Sequence, residues 1–527
     1  MPPLHDLSAV ELLALYRSHQ LSPVEYLDHL IAHIERWEPQ LCALYAFDPQ
    51  RAIEQARRSE ARWIRCAPCG ELDGVPVTIK ELIATTGDPI PQGSAATLLQ
   101  PATGNAPPAA RMNEAGAILL GKTTVPDFGM LSSGLSSFHK LARNPWDLRM
   151  NPGGSSAGAA SAAAAGYGPL HIGTDIGGSV RLPAGWCGLV GFKPSLGRIP
   201  IDPYFTGRCA GPMTRTLDDA ALMMRHLARP DWRDATALPP ADLDWHIDYA
   251  EVRGLRIGLQ LDPGCGLRPE PEVCAAVEAA ARQFADAGAE IIEVRPILDR
   301  ELLEGLDRFW RARLWAELEN LPVERQAKVL PYIFQWAEGG AAVSGAEAVR
   351  GFNQTFEMRR RAAEQFQEID FLLSPTNQVA AFPAEWASPT NDPAQPLSTS
   401  ASPCRGTCPS NRHSQSTAAS PPTACPSACR SSARASPTSR CCAWARPTNT
   451  GAAPSTVGRS IRQPAKLSPI ADHKEPIARP CITPPTSPTS WWWSSCSGSS
   501  ARSMPCSACA PRRVPLPGRP RWYSCRC

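Results

Sequence analysis

The sequence predicts a layered α/β domain over its first 398 residues, followed by a tail of different character. Three observations carry this. Short apolar runs of strand length alternate with amphipathic helical stretches, the pattern of sheet and helix layers packed on one core. An alanine-rich segment with no large side chain, Ala157 to Ala165, reads as a helix packed closely on all sides. The composition changes abruptly near Ser398.

The elements follow in order. Ser22-Pro23-Val24-Glu25 is a capping box with proline at the first helical position, so a helix starts there and runs to about Arg36. A second amphipathic helix is predicted from Pro49 to Ile64. Val75–Ile79, after the Asp73-Gly74 turn, reads as a buried strand. Arg111–Ala115 ends a helix, and Ala117–Leu120 is the next buried strand. From Leu170 a second Gly-rich loop is expected to reach Lys193. Beyond it, strands are predicted at Leu255–Gln260, Glu290–Val294 and Phe371–Leu373, and helices at Glu270–Ala287, Asp299–Leu318 and Ala346–Gln367. No internal repeat is visible. The organisation expected is a helical segment over residues 1–70, an α/β domain over 71–398 and the tail over 399–527.

Charge divides the chain at the same place. Residues 1–398 hold 48 of the 50 acidic and 36 of the 53 basic residues, a net charge of −12. Residues 399–527 hold Asp472 and Glu475 against 17 Lys and Arg, a net charge of +15, with 12 of the 19 cysteines. An acidic body argues against a nucleic-acid substrate. No stretch approaches the ~20 apolar residues of a membrane span, and the N-terminus lacks the basic and apolar regions of a secretory signal. Seven scattered cysteines in the body suit a reducing cytoplasm. Cys66 and Cys69 form a lone C-x-x-C with no second pair nearby, a weak metal or redox signal.

Three motifs carry chemistry: GVPVTIK ending at Lys80, PGGSSAG with Ser155 and Ser156, and GTDIGGSVR with Ser179. A serine after two glycines fits a tight turn where its hydroxyl is exposed and several backbone N–H groups converge, the geometry of an oxyanion hole. The same glycines also fit a structural turn or an anion-binding helix start. Neither loop has the Gly-Lys-Ser/Thr ending of a phosphate loop. A nucleophilic serine needs a base, and His139 and His171 have no obvious acidic partner in the sequence. Lys80 ends an apolar strand, where burial disfavours its charge and a neutral amine accepts protons. A lysine at a strand end is otherwise a surface cation.

Taken together the motifs resemble the amidase-signature family. GVPVTIK, NPGGSSAG, GTDIGGSVRLPAGWCG, GFKPSLGRIP and GPMTRT occur in that family's order and approximate spacing. The likeness is close from Leu72 to Leu222 and looser to Pro383. It implies an α/β/α sandwich with a mixed central sheet flanked by helices. It also implies hydrolysis of a carboxylic acid amide through a Ser–cis-Ser–Lys triad. Position by position, Lys80 is the base, Ser155 the bridging serine after a cis peptide, and Ser179 the nucleophile. The backbone N–H groups of Ile176, Gly177, Gly178 and Ser179 are the expected oxyanion donors. Such a scheme uses no cofactor and no metal, and its partner is a small-molecule amide. A homo-oligomer is neither required nor excluded.

Departures from the family pattern spare the triad. Glu81 stands where Asp is usual after the lysine, and Ala157-Gly158-Ala159 replaces a run of glycines. Asp175 and Arg181 flank the nucleophile and read as partners that fix its loop. Met130, Leu131, Ser132 and Ser156 are expected at the substrate, with Met130–Ser133 and Asp202–Arg208 lining the acyl pocket. The glutaminase subunit of a tRNA-dependent amidotransferase resembles the same core. Its tyrosine-rich glutamine-binding segment is not found between Ala346 and Phe371, so the stand-alone hydrolase is the leading expectation.

The family also implies a strand close to GLPIGLQIVG after Ser374-Pro375-Thr376, and the tail, rich in Ser, Pro, Arg and Cys, lacks it. Its composition predicts disorder. Its codons offer an explanation. Cys425–Ser432 can be encoded TGC CCA TCG GCC TGC AGA TCG TCG. Read from one base earlier, these bases give LPIGLQIV. The same shift turns Thr399–Pro409 into HIGFTVPWNMS. The sequence therefore predicts a change of reading frame near Ser398 and a tail never selected to fold; an inactive product of a frameshifted gene is the alternative to the active hydrolase.

Overall fold

A computed structural model of the chain describes residues 2–247 and 251–395, with the backbone of residues 415–418 and 429–433. Eleven strands occur among them: β1 Leu44–Tyr45, β2 Pro76–Lys80, β3 Ile118–Thr123, β4 Leu170–Asp175, β5 Val190–Gly191, β6 Cys209–Thr214, β7 Arg256–Leu259, β8 Glu290–Glu293, β9 Phe371–Pro375, β10 Gln415–Ala418 and β11 Cys429–Ala433. They form a six-stranded sheet, β1-β3-β2-β4-β6-β5, and a five-stranded sheet, β10-β11-β9-β7-β8. Both are mixed: β2 is parallel to β3 and β4 while β4 is antiparallel to β6, and β9 is parallel to β7 but antiparallel to β11. No helix among the described residues is long and apolar enough to cross a membrane.

The N-terminal helices form where their caps place them. Ser22 and Glu25 make the reciprocal capping box of the helix Pro23–Leu41. This helix passes Arg36 despite Pro39, because Trp37 and Leu41 remain on its buried face, and it stops where Cys42 turns left-handed at φ 50°. Asp48 caps Pro49–Ile64 through the Arg51 N–H. Their inner faces, with Leu12, Tyr26 and Leu27, share one apolar core with Val77 and Ile79 of β2 and Leu170 and Ile172 of β4. That core fixes the position of β2 and of the lysine at its end.

Between Leu170 and Lys193 the structure departs from the loop expected. The segment contains β4, a helix over Arg181–Cys187, and β5. Every residue of β4 is buried although its sequence, LHIGTD, alternates only as far as Ile172 and then turns polar. Pairing with β2 on one side and β6 on the other satisfies its backbone, so a strand central to a sheet needs no amphipathic signal. The helix Ala157–Ala164 is buried along nearly its whole length. At Gly158 a Cβ would lie 2.2 Å from the Ala43 carbonyl oxygen and 2.4 Å from the Thr124 nitrogen, so glycine alone fits there.

Inside this core His171 accepts at Nδ1 from the Thr78 hydroxyl, 2.8 Å away, and donates from Nε2 to the Gly168 carbonyl at 3.1 Å. Burial holds its pKa down to about 3. A histidine depressed in the folded state protonates first in the unfolded chain, so stability falls as pH drops from ~6.5 towards 3. The melting midpoint is expected to be lower at pH 5 than at pH 7.5, and His171→Gln to flatten that dependence. An unchanged slope would contradict this account.

The second sheet bears on the tail. β11 lies between β9 and β10, with Ser431 opposite Leu373 and Cys429 opposite Pro375. It spans the residues whose second-frame reading begins LQIV, whereas the chain as written has CRSSA. All five residues of its neighbour β9 are buried. The remainder of 396–527, and with it the predicted disorder and the Thr399–Pro409 reading, lies outside the described residues. A gene with one base adjusted near codon 398 is expected to give more soluble protein with a higher melting midpoint. Each Leu, Ile or Val side chain that a restored frame buries contributes about 1.5–3 kcal/mol, against a typical net stability of ~5–15 kcal/mol. Equal yield and midpoint for the two versions would remove the frame argument.

Candidate active site

Lys80 closes β2 and is fully buried. Its Nζ lies 2.9 Å from Ser155 Oγ, 2.9 Å from Ser156 Oγ and 3.3 Å from the Thr174 carbonyl oxygen. Burial pushes its pKa well below the ordinary lysine range; Arg208 adds to this, while Asp175 and Glu81 oppose it. A neutral amine both donates and accepts, so the Ser155 contact can carry a proton in either direction.

Ser155 and Ser156 precede the alanine-rich helix, and the Gly154–Ser155 peptide is cis. Ser155 opens onto a cavity of about 440 Å³ that Ser179 also lines. Ser156, expected at the substrate, is placed elsewhere. It is fully buried, donates to the Thr174 carbonyl at 3.3 Å and does not line the cavity.

The loop that carries Ser179 is held by Asp175. Asp175 ends β4 and accepts from Arg181 through Nε at 2.8 Å and Nη2 at 2.7 Å, both side chains being fully buried. It also accepts from the Gly178 N–H at 2.9 Å and the Val180 N–H at 3.1 Å. Burial alone would raise the Asp175 pKa, but the Arg181 charge and its hydrogen bonds bring it below the usual carboxylate range. Gly178, at φ 113°, adopts a backbone that other residues rarely reach. Its N–H points to Asp175, which takes it out of the expected oxyanion set. Ile176, Gly177 and Ser179 line the cavity and Gly178 does not.

Met130, Leu131 and Ser132 line the cavity, as do Pro203, Tyr204, Phe205 and Arg208 from the 202–208 segment. Sequence reasoning missed Phe128 and the pair Trp310 and Arg313. The last two lie one turn apart on the helix Arg300–Leu318; helical spacing puts them on one face but does not say what that face meets.

Neither histidine of the motif region lines the cavity. His139 has a partner the sequence concealed: its Nε2 lies 3.1 Å from Glu81 Oε2. Glu81 also accepts from the Gln92 and Gly93 N–H groups at 2.9 and 2.6 Å, so it ties two loops beside Lys80. Seven cysteines among the described residues are free thiols.

Comparison with known proteins gives the family and the fold. The family described as Amidase matches residues 25–423. An acylamidase of Rhodococcus erythropolis is 33% identical over 393 residues, covering 73% of this chain and 82% of its own length. One chain of the glutamyl-tRNA(Gln) amidotransferase of Chloroflexus aggregans is 32% identical over 427 residues, covering 75% of this chain and 86% of its own length. Among solved structures, a bacterial aryl acylamidase of the amidase signature family superposes with a TM-score of 0.75 at 27% identity, covering 85% of this chain and 97% of that one.

Proposed function

The chain belongs to the amidase-signature family, and from that premise we propose that it hydrolyses the C–N bond of a carboxylic acid amide with Ser179 as nucleophile, Ser155 as proton relay and Lys80 as base. One observation carries the reading. A buried lysine with a depressed pKa lies 2.9 Å from Ser155 Oγ, and Ser155 and Ser179 open onto the same cavity.

Ser179 Oγ attacks the amide carbonyl carbon as its proton passes through the Ser155 hydroxyl to Lys80 Nζ. The carbonyl oxygen gains negative charge and is met by N–H groups of Ile176, Gly177 and Ser179. The proton returns through Ser155 to the amine nitrogen, the C–N bond breaks, and the acyl group remains as an ester on Ser179. Water attacks that ester by the same relay, giving the carboxylic acid and the free serine. Asp175 and Arg181 position the loop and do not touch the reacting atoms. The free thiols suit a reducing compartment, and the reading places the enzyme in the cytoplasm.

The 32% identity to a glutamyl-tRNA(Gln) amidotransferase chain favours a second reading, a glutaminase that works with partner chains. Incubation with phenylacetamide, acetanilide and L-glutamine separates the two. The hydrolase reading expects amine or ammonia release from a simple amide by the chain alone. Release from glutamine only, and only with amidotransferase partner chains, would support the second reading and overturn the first.

A further inference from the structure

The cavity above Ser179 has an unusual electrostatic lining. It contains two arginines, Arg208 and Arg313, and no aspartate or glutamate. Arg313 is partly neutralised, because Glu317 lies 3.2 Å from its Nη2 and its guanidinium stacks 4.0 Å over the Phe205 ring. Arg208 is different. Its Nη1 donates to the Pro203 carbonyl at 3.1 Å and its Nη2 to the Leu82 carbonyl at 3.1 Å. No carboxylate among the described residues lies within 4.0 Å of it. A cation held in a pocket is normally paired. Two carbonyls fix the orientation of this fork, and Asp202 acts on its charge only from beyond ion-pair distance.

We propose that the cavity receives an amide that also carries a carboxylate, and that Arg208 binds this carboxylate, with Arg313 adding a second positive charge. The proposal rests on the hydrolase reading of the same site and names its substrate class. A guanidinium presents parallel N–H donors that match a carboxylate, so one side chain supplies both charge and direction. Phe128, Leu131, Phe205 and Trp310 supply apolar and aromatic surface for the rest of the molecule. Burial first, then the nearby Arg313, bring the Arg208 pKa down to about 10 against a smaller opposing effect of Asp202. A bound anion relieves both effects. The lining offers no carboxylate to an ammonium group, so amides bearing a positive charge are disfavoured.

Binding is measured by calorimetry on the Ser179→Ala protein, where turnover plays no part. Two matched pairs place the charge on opposite sides of the scissile bond. 4-Carboxyphenylacetamide against phenylacetamide puts it on the acyl side; 4-acetamidobenzoate against acetanilide puts it on the amine side. In at least one pair the charged member is expected to bind about tenfold or more tightly, the size of one charge-assisted hydrogen bond. The pair that shows the preference identifies the side. Arg208→Gln in the same background is expected to erase the preference and Arg208→Lys to keep part of it. Equal or weaker binding of the charged member in both pairs would overturn the proposal without recourse to any Arg208 variant, and so would a preference that survives Arg208→Gln. Failure of the hydrolase reading is seen separately, as absence of amide turnover by the unmodified chain.

Discussion

Ser179→Ala is expected to lower amide hydrolysis by about 10⁶-fold, the scale seen when a hydrolase loses its nucleophile, while leaving the fold intact. Ser179 is partly exposed on the cavity, and its Oγ makes no side-chain hydrogen bond among the described residues. Removing it therefore leaves no buried group unmatched. The backbone of the loop stays fixed by Asp175, which grips the N–H groups on both sides of Ser179 and the Arg181 guanidinium. The melting midpoint of the variant should stay within a few degrees of the parent. Hydrolysis at a rate near the parent's would mean that another group attacks the carbonyl.

Lys80→Ala is expected to cost about 10²–10⁴-fold in kcat/KM, the usual contribution of a positioned base. This variant also loses three buried contacts, to Ser155 Oγ, Ser156 Oγ and the Thr174 carbonyl. Lys80→Met fills most of the volume and separates a folding defect from a catalytic one. The pH dependence supplies the mechanistic signature. Only neutral Lys80 takes up the proton, so activity rises with pH through its pKa. Burial first, then the charge of Arg208, places that limb well below the ~10.4 of free lysine. Near-parent activity in both variants would rule Lys80 out as the base.

The parts of this site that could be read in the sequence are those whose chemistry demands particular residue types at fixed places in the chain. A lysine ending an apolar strand and two serines in separate Gly-rich loops meet that condition. The helices with strong caps, at Ser22, Asp48 and Asp299, were equally legible because a short polar side chain marks their start. β4 was not, since a strand paired on both sides buries His171 and Thr174 as readily as Ile172, and its short alternation ends at Ile172. The helix Arg181–Cys187 was hidden by Pro183 and Gly185, which locally read as a loop. Gly178 looked like an oxyanion donor until the Asp175 side chain accounted for its N–H. Trp310 and Arg313 reach the cavity from a helix more than a hundred residues after Ser179, a meeting set by tertiary packing alone.

The central claim is that a buried lysine activates Ser179 through Ser155. The most direct test is the rate of fluorophosphonate labelling as a function of pH, with the modified residue located by peptide mass spectrometry. In the parent chain the adduct is predicted on Ser179, with a rate that rises through a single pKa well below that of free lysine; in Lys80→Met that limb is predicted to vanish and labelling to slow. An adduct on any other residue, or the same limb in Lys80→Met as in the parent, would contradict the account.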